Sequence, residues 1–243
     1  MLEALLWSAI FLLGYIYVGY PVLAIAIARI WPRPAHKGAI SSAVTVIITA
    51  FNEEKHIEQK IRNVLELDYP NDLVDIIVAS DASSDATDQI VLAFNATNVR
   101  LLRVEGRLGK TACQNAAAAA ASGDILVFTD ATTLIETDAL RAICGNFHDP
   151  SVGCVAGRLT YVANQDDATG NGGTSYWNYE IMLRMAESSL GSLIGVSGCL
   201  YAVRHSAYRA IAPELISDFV IAMVVREQGL RTILEPDAIC YEE

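Results

Sequence analysis

The chain has 243 residues, 53% of them hydrophobic, enough for one sizeable domain with its own core. Its formal net charge of -11 argues against a nucleic-acid partner, for which a basic stripe supplies the affinity, but leaves a nucleotide held by a metal and a few amides open. The five cysteines are scattered, with no C-x-x-C pair, and the four histidines lack ligand spacing. This excludes a disulfide framework and a zinc site and fits a reducing compartment.

The first thirty residues are set apart. No charged residue lies between Glu3 and Arg29, and the twenty-five positions between them span roughly 37 Å as a helix at ~1.5 Å each, enough to cross a bilayer with some tilt. No Lys or Arg precedes the run, unlike the basic head of a signal peptide. Arg29, Arg33 and Lys37 follow it, so the positive-inside rule puts the remainder in the cytoplasm and predicts a single-pass protein of the cell membrane. In that topology the Asn95-Ala96-Thr97 sequon never meets the glycosylation machinery. Pro21 is expected to kink the helix without excluding it. An oily helix packed on a soluble domain is the other reading of the segment.

Residues 31–42, with two prolines, read as a linker, and 43–243 as the folded domain. Strand and helix patterns then alternate: strand 44–49, helix 53–66, strand 75–79, helix 84–94, strand 99–104, helix 110–121, strand 125–129, helix 138–147 and strand 152–156. Such alternation predicts an α/β fold, a doubly wound and mostly parallel sheet with flanking helices. Beyond Gly157 the pattern loosens: a polar loop over 164–174, a helix over 176–188, a strand over 197–203, a helix over 219–227 ended by Gly229, and a strand-like 231–234.

Three of the apolar runs end in carboxylates: VIITAFNEE (46–54), DIIVASDASSD (75–85) and DILVFTDAT (124–132). In open parallel sheets ligands bind outside the carboxyl ends of the strands, so this row marks the expected site. Asn52, Glu53 and Glu54 can cap a helix or hydrogen-bond a ribose, and D-A-S-S-D (81–85) is by itself mainly a capping signal. GRLGK (106–110) puts Lys110 and a helix N-terminus where a diphosphate could dock, without P-loop spacing. Asp130, directly after its strand, can hold Mg²⁺ or Mn²⁺ shared with phosphates, and can equally be structural. Trp177, with Tyr176, Tyr179 and Glu180, lies between the halves and could stack on a sugar or belong to the core.

ITAFNEE (48–54), SDASSD (80–85), GRLGK (106–110), TDATT (129–133), GVSGCLYAVR (195–204) and SDFVIAMVVREQGLRTILEP (217–236) stand in the order found in family 2 glycosyltransferases. The chain resembles their membrane-bound branch, that of the cellulose, chitin and hyaluronan synthases, from about Ser42 to Glu243. The resemblance implies a GT-A fold, with a nucleotide-sugar-binding half (43–150) and an acceptor-binding half (151–243). It implies inverting transfer from a UDP-sugar to a saccharide or lipid-linked acceptor. Ala50, Phe51, Asn52 and Glu53 would contact the nucleoside, Asp81 its base, and Lys110 would lie near the phosphates. Asp130 matches the first acid of the D-x-D metal motif, Gly198 and Cys199 would line the acceptor site with Trp177, and Asp218 matches the general base.

Three departures accompany the match. Thr132 replaces the second acid of D-x-D, and Ser217 replaces the acid before Asp218. The Q-x-x-R-W motif and the later membrane helices of processive members are absent from these residues, so long-polymer synthesis by this chain alone is not expected. These departures also motivate a second reading, a catalytically impaired nucleotide-sugar-binding subunit or a fragment of a larger polysaccharide synthase. A dehydrogenase of the dinucleotide-binding type fits poorly, since no G-x-G-x-x-G follows the first strand.

Overall fold

A computed structural model describes residues 1–39, 42–94, 96, 98–161 and 170–242, with side chains described outside 161–178. Helices α1 (Leu2–Gly14) and α2 (Tyr20–Ile30) are joined by a π turn, Tyr15–Gly19, so that 2–30 is one continuous apolar rod. The π turn stands directly before Pro21, which has no amide to give to the preceding turn. Only 11% of the rod's most apolar stretch is buried, with Pro21 and Ala24 the buried residues of α2, so it is not a core helix.

The domain alternates β1 (Val44–Ala50), α3 (Ile57–Leu65), β2 (Val74–Asp81), α4 (Thr87–Ala93), β3 (Val99–Val104), α5 (Lys110–Ala120) and β4 (Ile125–Asp130). Then come β5 (Leu134–Ile135), α6 (Ala139–Gly145), β6 (Val152–Tyr161), α7 (Gly170–Leu190), β7 (Leu200–Arg204), α8 (Ser217–Glu227) and β8 (Arg231–Glu242). One sheet has the order β3-β2-β1-β4-β7-β6-β8-β5. Strands β1 to β4 pair in parallel as expected. The second half is mixed: β7 enters antiparallel between β4 and β6, β6 and β8 are parallel, and β5 caps the edge antiparallel to β8.

Alternating side chains split the core into two layers. Val46, Ile48, Ile76 and Val127 face Ile57, Ile61, Leu140 and Ile143 of α3 and α6, whereas Ile47, Ile77 and Phe128 face Cys113, Ala117, Ile221 and Val225 of α5 and α8. The strands are buried on both faces, which is why they read as unbroken apolar runs.

Differences from the expected boundaries have local causes. Helices α3 and α4 start later than their patterns because the preceding amides are satisfied across the two turns. Glu53 N–H donates to Thr87 Oγ1, Glu54 N–H to Asp85, and Ser84 N–H to Asn52 Oδ1. Strand β8 continues past Pro236 with a break in pairing, from Ala156 opposite Leu234 to Arg158 opposite Ile239. The expected polar loop at 164–174 is helical from Gly170; 164–169 lie outside the described residues, as do Asn95 and Thr97 of the sequon. The connecting segment is fastened rather than free: Arg33 N–H donates to Ser189 O, Lys37 pairs with Glu235 at 2.7 Å, and Gly38 N–H donates to Gly145 O.

Candidate active site

The carboxyl ends of β1, β2 and β4 open onto a cavity of about 320 Å³. Ala50, Phe51, Glu53, Asp81, Lys110 and Asp130 all line it, six of the residues expected from sequence. Asn52 is spent differently. Its backbone is left-handed (φ 56), its N–H donates to Ser83 Oγ, and its Oδ1 accepts from Ser84, so it clasps the two turns and does not line the cavity. Ala82 (φ 52) and Arg107 (φ 51) are also left-handed. Among the described residues these three are the non-glycine positions with positive φ, and all stand in turns bordering the cavity. Backbone held in this region concentrates at ligand clamps because the surrounding contacts must over-determine it.

Each acid has a distinct setting. Both oxygens of the buried Asp81 accept backbone amides, from Leu108 at 2.8 Å and Gly109 at 3.0 Å, so the carboxylate holds the 106–110 loop at the mouth of the cavity. Glu53 pairs with His56 Nδ1 at 2.7 Å. Asp130 Oδ1 lies 2.5 Å from Lys110 Nζ and accepts from Thr49 Oγ1 at 3.3 Å.

Two contributors had no sequence signal of their own. The Arg107 guanidinium, within GRLGK, stacks 3.9 Å from the centre of the ring of Phe51, which lines the cavity. Lys60, fully buried on α3, donates to Thr129 Oγ1 at 2.8 Å and to Thr133 O, bracketing the turn that carries Asp130. Burial pushes its ammonium down to about 7, opposed by the nearby acidic groups. The helical periodicity of α3 gave no reason to separate Lys60 from its exposed neighbours.

At the carboxyl end of β4, the loop before the antiparallel β7 brings Gly198 between α5 and α8. A Cβ built on Gly198 would lie 2.9 Å from Asp218 Oδ2 and 3.0 Å from Lys110 Nζ. Asp218, in the first turn of α8, therefore shares one point with Lys110, and Lys110 in turn touches Asp130. Cys199 is buried, with its thiol 3.5 Å from Glu242 and pushed upward by burial. Trp177 stands on α7, and its side chain lies outside the described residues. Ser217 is buried, so an acid in its place would have to be desolvated beside Asp218.

The donor set can be weighed for a metal. Among the described residues no three His, Cys, Asp or Glu side chains gather as a ready-made cage. Asp130 and Thr132 offer one carboxylate and one hydroxyl to the cavity. Mg²⁺ is commonly held by one or two carboxylates with the remaining positions filled by phosphates and water. The residues present thus fit a hard cation whose remaining positions are filled by water or a phosphate-bearing ligand.

Residues 45–211 match the model of glycosyl transferase family 2. The chain belongs to that family. It has the GT-A fold, and it is 26% identical over 205 residues to the poly-beta-1,6-N-acetyl-D-glucosamine synthase of Staphylococcus aureus strain COL, covering 82% of this chain and 49% of that protein. It is 28% identical over 208 residues to the beta-monoglucosyldiacylglycerol synthase of Trichormus variabilis, covering 83% of the chain and 44% of the relative. The chain spans about half the length of these relatives. Among solved structures, the mannosyltransferase PcManGT of Pyrobaculum calidifontis, in complex with GDP-Man and Mn²⁺, superposes with a TM-score of 0.76 at 28% identity, over 96% of this chain and 67% of that one.

Proposed function

We propose that this glycosyltransferase is membrane-anchored and inverting, moving a sugar from a UDP-sugar to a saccharide or lipid-linked acceptor at the cytoplasmic face. Residues 43–150 form the donor half and 151–243 the acceptor half. The observation that carries the reading is the junction at Gly198, where Asp218 from the acceptor half meets Lys110, and through it Asp130, from the donor half.

Each group then has a task. Phe51 under Arg107 and Glu53 border the nucleoside, with Ala50 at the strand end and Asn52 fixing the turn. Asp81 faces the base end and keeps the 106–110 loop in place. Lys110 offsets charge building on the leaving diphosphate, helped by the N-terminus of α5. A bound Mg²⁺ or Mn²⁺, held by Asp130 with Thr132 beside it, would supply further charge neutralisation on that diphosphate. Asp218 accepts the proton of the acceptor hydroxyl while the hydroxyl oxygen bonds to the anomeric carbon from the face opposite the nucleotide. The bond to phosphate breaks, and its electron pair leaves on the diphosphate. Attack from that face inverts the centre without a covalent enzyme intermediate. Gly198, Cys199 and Trp177 border the acceptor.

The apolar rod 2–30 supports a single membrane span, with Arg29, Arg33 and Lys37 on the cytoplasmic side. The solved neighbour's GDP-Man makes the nucleotide the first thing to measure. Calorimetry with UDP and GDP in the presence of Mn²⁺, beside a radiolabelled sugar-transfer assay over an acceptor panel, tests the whole reading. Binding of UDP with transfer supports it. Binding without transfer to any acceptor favours a nucleotide-sugar-binding subunit, and preference for GDP corrects the donor.

A further inference from the structure

A second cavity, of about 330 Å³, opens on the acceptor side of Asp218. Arg184, Glu187, Leu193, Ile194 and Phe219 line it together with Asp218 itself. An adjoining cavity of similar size shares Leu193 and Ile194 and extends to Met223 on α8. Its apolar walls are open to the outside: Ile194 is 72% exposed, Phe219 48% and Met223 45%. Single exposed apolar side chains are ordinary, but a contiguous strip rimmed by charges marks a docking surface.

The first cavity adjoins the rod. Glu187, which lines the first cavity, accepts a 2.6 Å hydrogen bond from Tyr20 on the apolar rod. Tyr179 on the same helix donates to Tyr17 O at 3.0 Å, and Ser189 O accepts from Arg33 N–H. Helix α7 therefore lies along the end of the rod that adjoins the domain, with Met182 and Met185 exposed beside it. The cavity at Asp218 thus adjoins the rod through Glu187 of α7, and it opens onto the apolar side chains of Ile194, Phe219 and Met223.

We infer that the acceptor is a hydroxyl-bearing membrane lipid, whose chains lie over Ile194, Phe219 and Met223 while its headgroup hydroxyl reaches Asp218. The inference rests on the glycosyltransferase reading and the membrane span above, and narrows their acceptor. An amphiphile suits this division of the cleft, apolar at Ile194, Phe219 and Met223 and charged at Asp218 and Arg184. A free saccharide has no use for exposed aliphatic walls. The lipid hydroxyl loses its proton to Asp218, its oxygen bonds to the anomeric carbon, and the donor's bond to phosphate breaks with its electron pair.

The test uses the full chain in vesicles of phosphatidylcholine and phosphatidylglycerol, with diacylglycerol as the acceptor probe. All five native cysteines are buried, so Ile194→Cys can be labelled selectively with a fluorophore. Brominated acyl chains are expected to quench that label as they quench one at Phe11→Cys on the rod, and not one at Gln59→Cys on α3. Quenching at 11 without quenching at 194 overturns the lipid track, and quenching at neither overturns the membrane span and the track together. In transfer assays, Ile194→Glu and Met223→Glu should raise KM for diacylglycerol at least tenfold, with UDP binding by calorimetry unchanged. An unchanged KM, or wild-type transfer to soluble saccharides alone, overturns the lipid acceptor and leaves the glycosyltransferase intact. Absence of both nucleotide binding and transfer would sink the underlying reading as well.

Discussion

Lys110 Nζ lies 2.5 Å from Asp130 Oδ1, so the side chain that opens helix α5 neutralises the carboxylate that ends strand β4. The pairing links the two charges that the donor diphosphate would meet. A divalent cation entering with the diphosphate competes with Lys110 for Asp130. In Asp130→Asn, Mn²⁺ should lose its effect on UDP affinity. Changes to groups that merely orient a metal ligand cost about 10–100-fold in metal affinity, and loss of the carboxylate should cost at least as much. Calorimetry of UDP with and without Mn²⁺, and after chelation, reads this; an undiminished Mn²⁺ effect in the variant would remove Asp130 from the metal site.

Asp218→Asn tests the base. The amide keeps the shape and cannot take the acceptor's proton, so transfer should fall by about 10²–10⁴-fold, the usual worth of general-base catalysis. UDP binding should persist, because Asp218 is not among the residues lining the donor cavity. Wild-type turnover in the variant would move the base elsewhere.

Gly198→Ala separates positioning from stability. The new Cβ meets the ends of two flexible side chains, Asp218 and Lys110, so the fold can yield by moving them. The thermal midpoint should change little. A displacement of about 1 Å among reacting groups can cost on the order of 10²-fold in rate, and kcat is expected to drop accordingly. Preserved kcat would mean that Asp218 and Lys110 need not meet.

Ala82→Gly should stabilise the protein. Ala82 holds φ 52, where a Cβ crowds the backbone at a cost of roughly 1–2 kcal/mol. Glycine's greater freedom in the unfolded chain returns part of that, leaving a net gain of up to about 1 kcal/mol. For a chain of this size that corresponds to a midpoint raised by roughly 2–4 °C, readable by calorimetry.

Lys60 makes stability depend on pH in a defined direction. Its folded-state value of about 7 lies below the ordinary 10.5, so between these values the unfolded chain binds the extra proton and stability rises with pH. Buried Cys113, Cys144, Cys154 and Cys240 act oppositely above pH 9, their thiols being pushed up to about 12. Urea unfolding of wild type and Lys60→Met at several pH values cancels the thiols. The difference in stability, wild type minus variant, should increase from pH 7 to pH 10, and a flat difference would contradict the assignment.

Much of the parallel half of the sheet was legible because its determinants are local in sequence. Runs such as 44–50 and 74–81 are apolar throughout because both faces of each strand are covered, and each strand end carries its own acid. Parallel β1 to β4 followed from alternation with helices. The antiparallel insertion of β7 between β4 and β6 was not legible, since it depends on which neighbour a strand meets after a long excursion. The two-residue β5 is too short to carry a period. Asn52 shows the limit at single-residue scale: its position after β1 was right for a ligand contact, but its amide oxygen is taken by Ser84 from the neighbouring turn.

The sequence by itself determined the family, the row of strand-end acids and an apolar rod long enough to span a bilayer, because each is written in contiguous residues. Only the tertiary structure decided that Gly198 lets Asp218 approach Lys110, that Lys60 is buried behind the Asp130 turn, and that Glu187 links Tyr20 of the rod to the cavity at Asp218. These relations join residues far apart in the chain. Packing brings them together at a few ångströms, and no pattern of spacing encodes that distance.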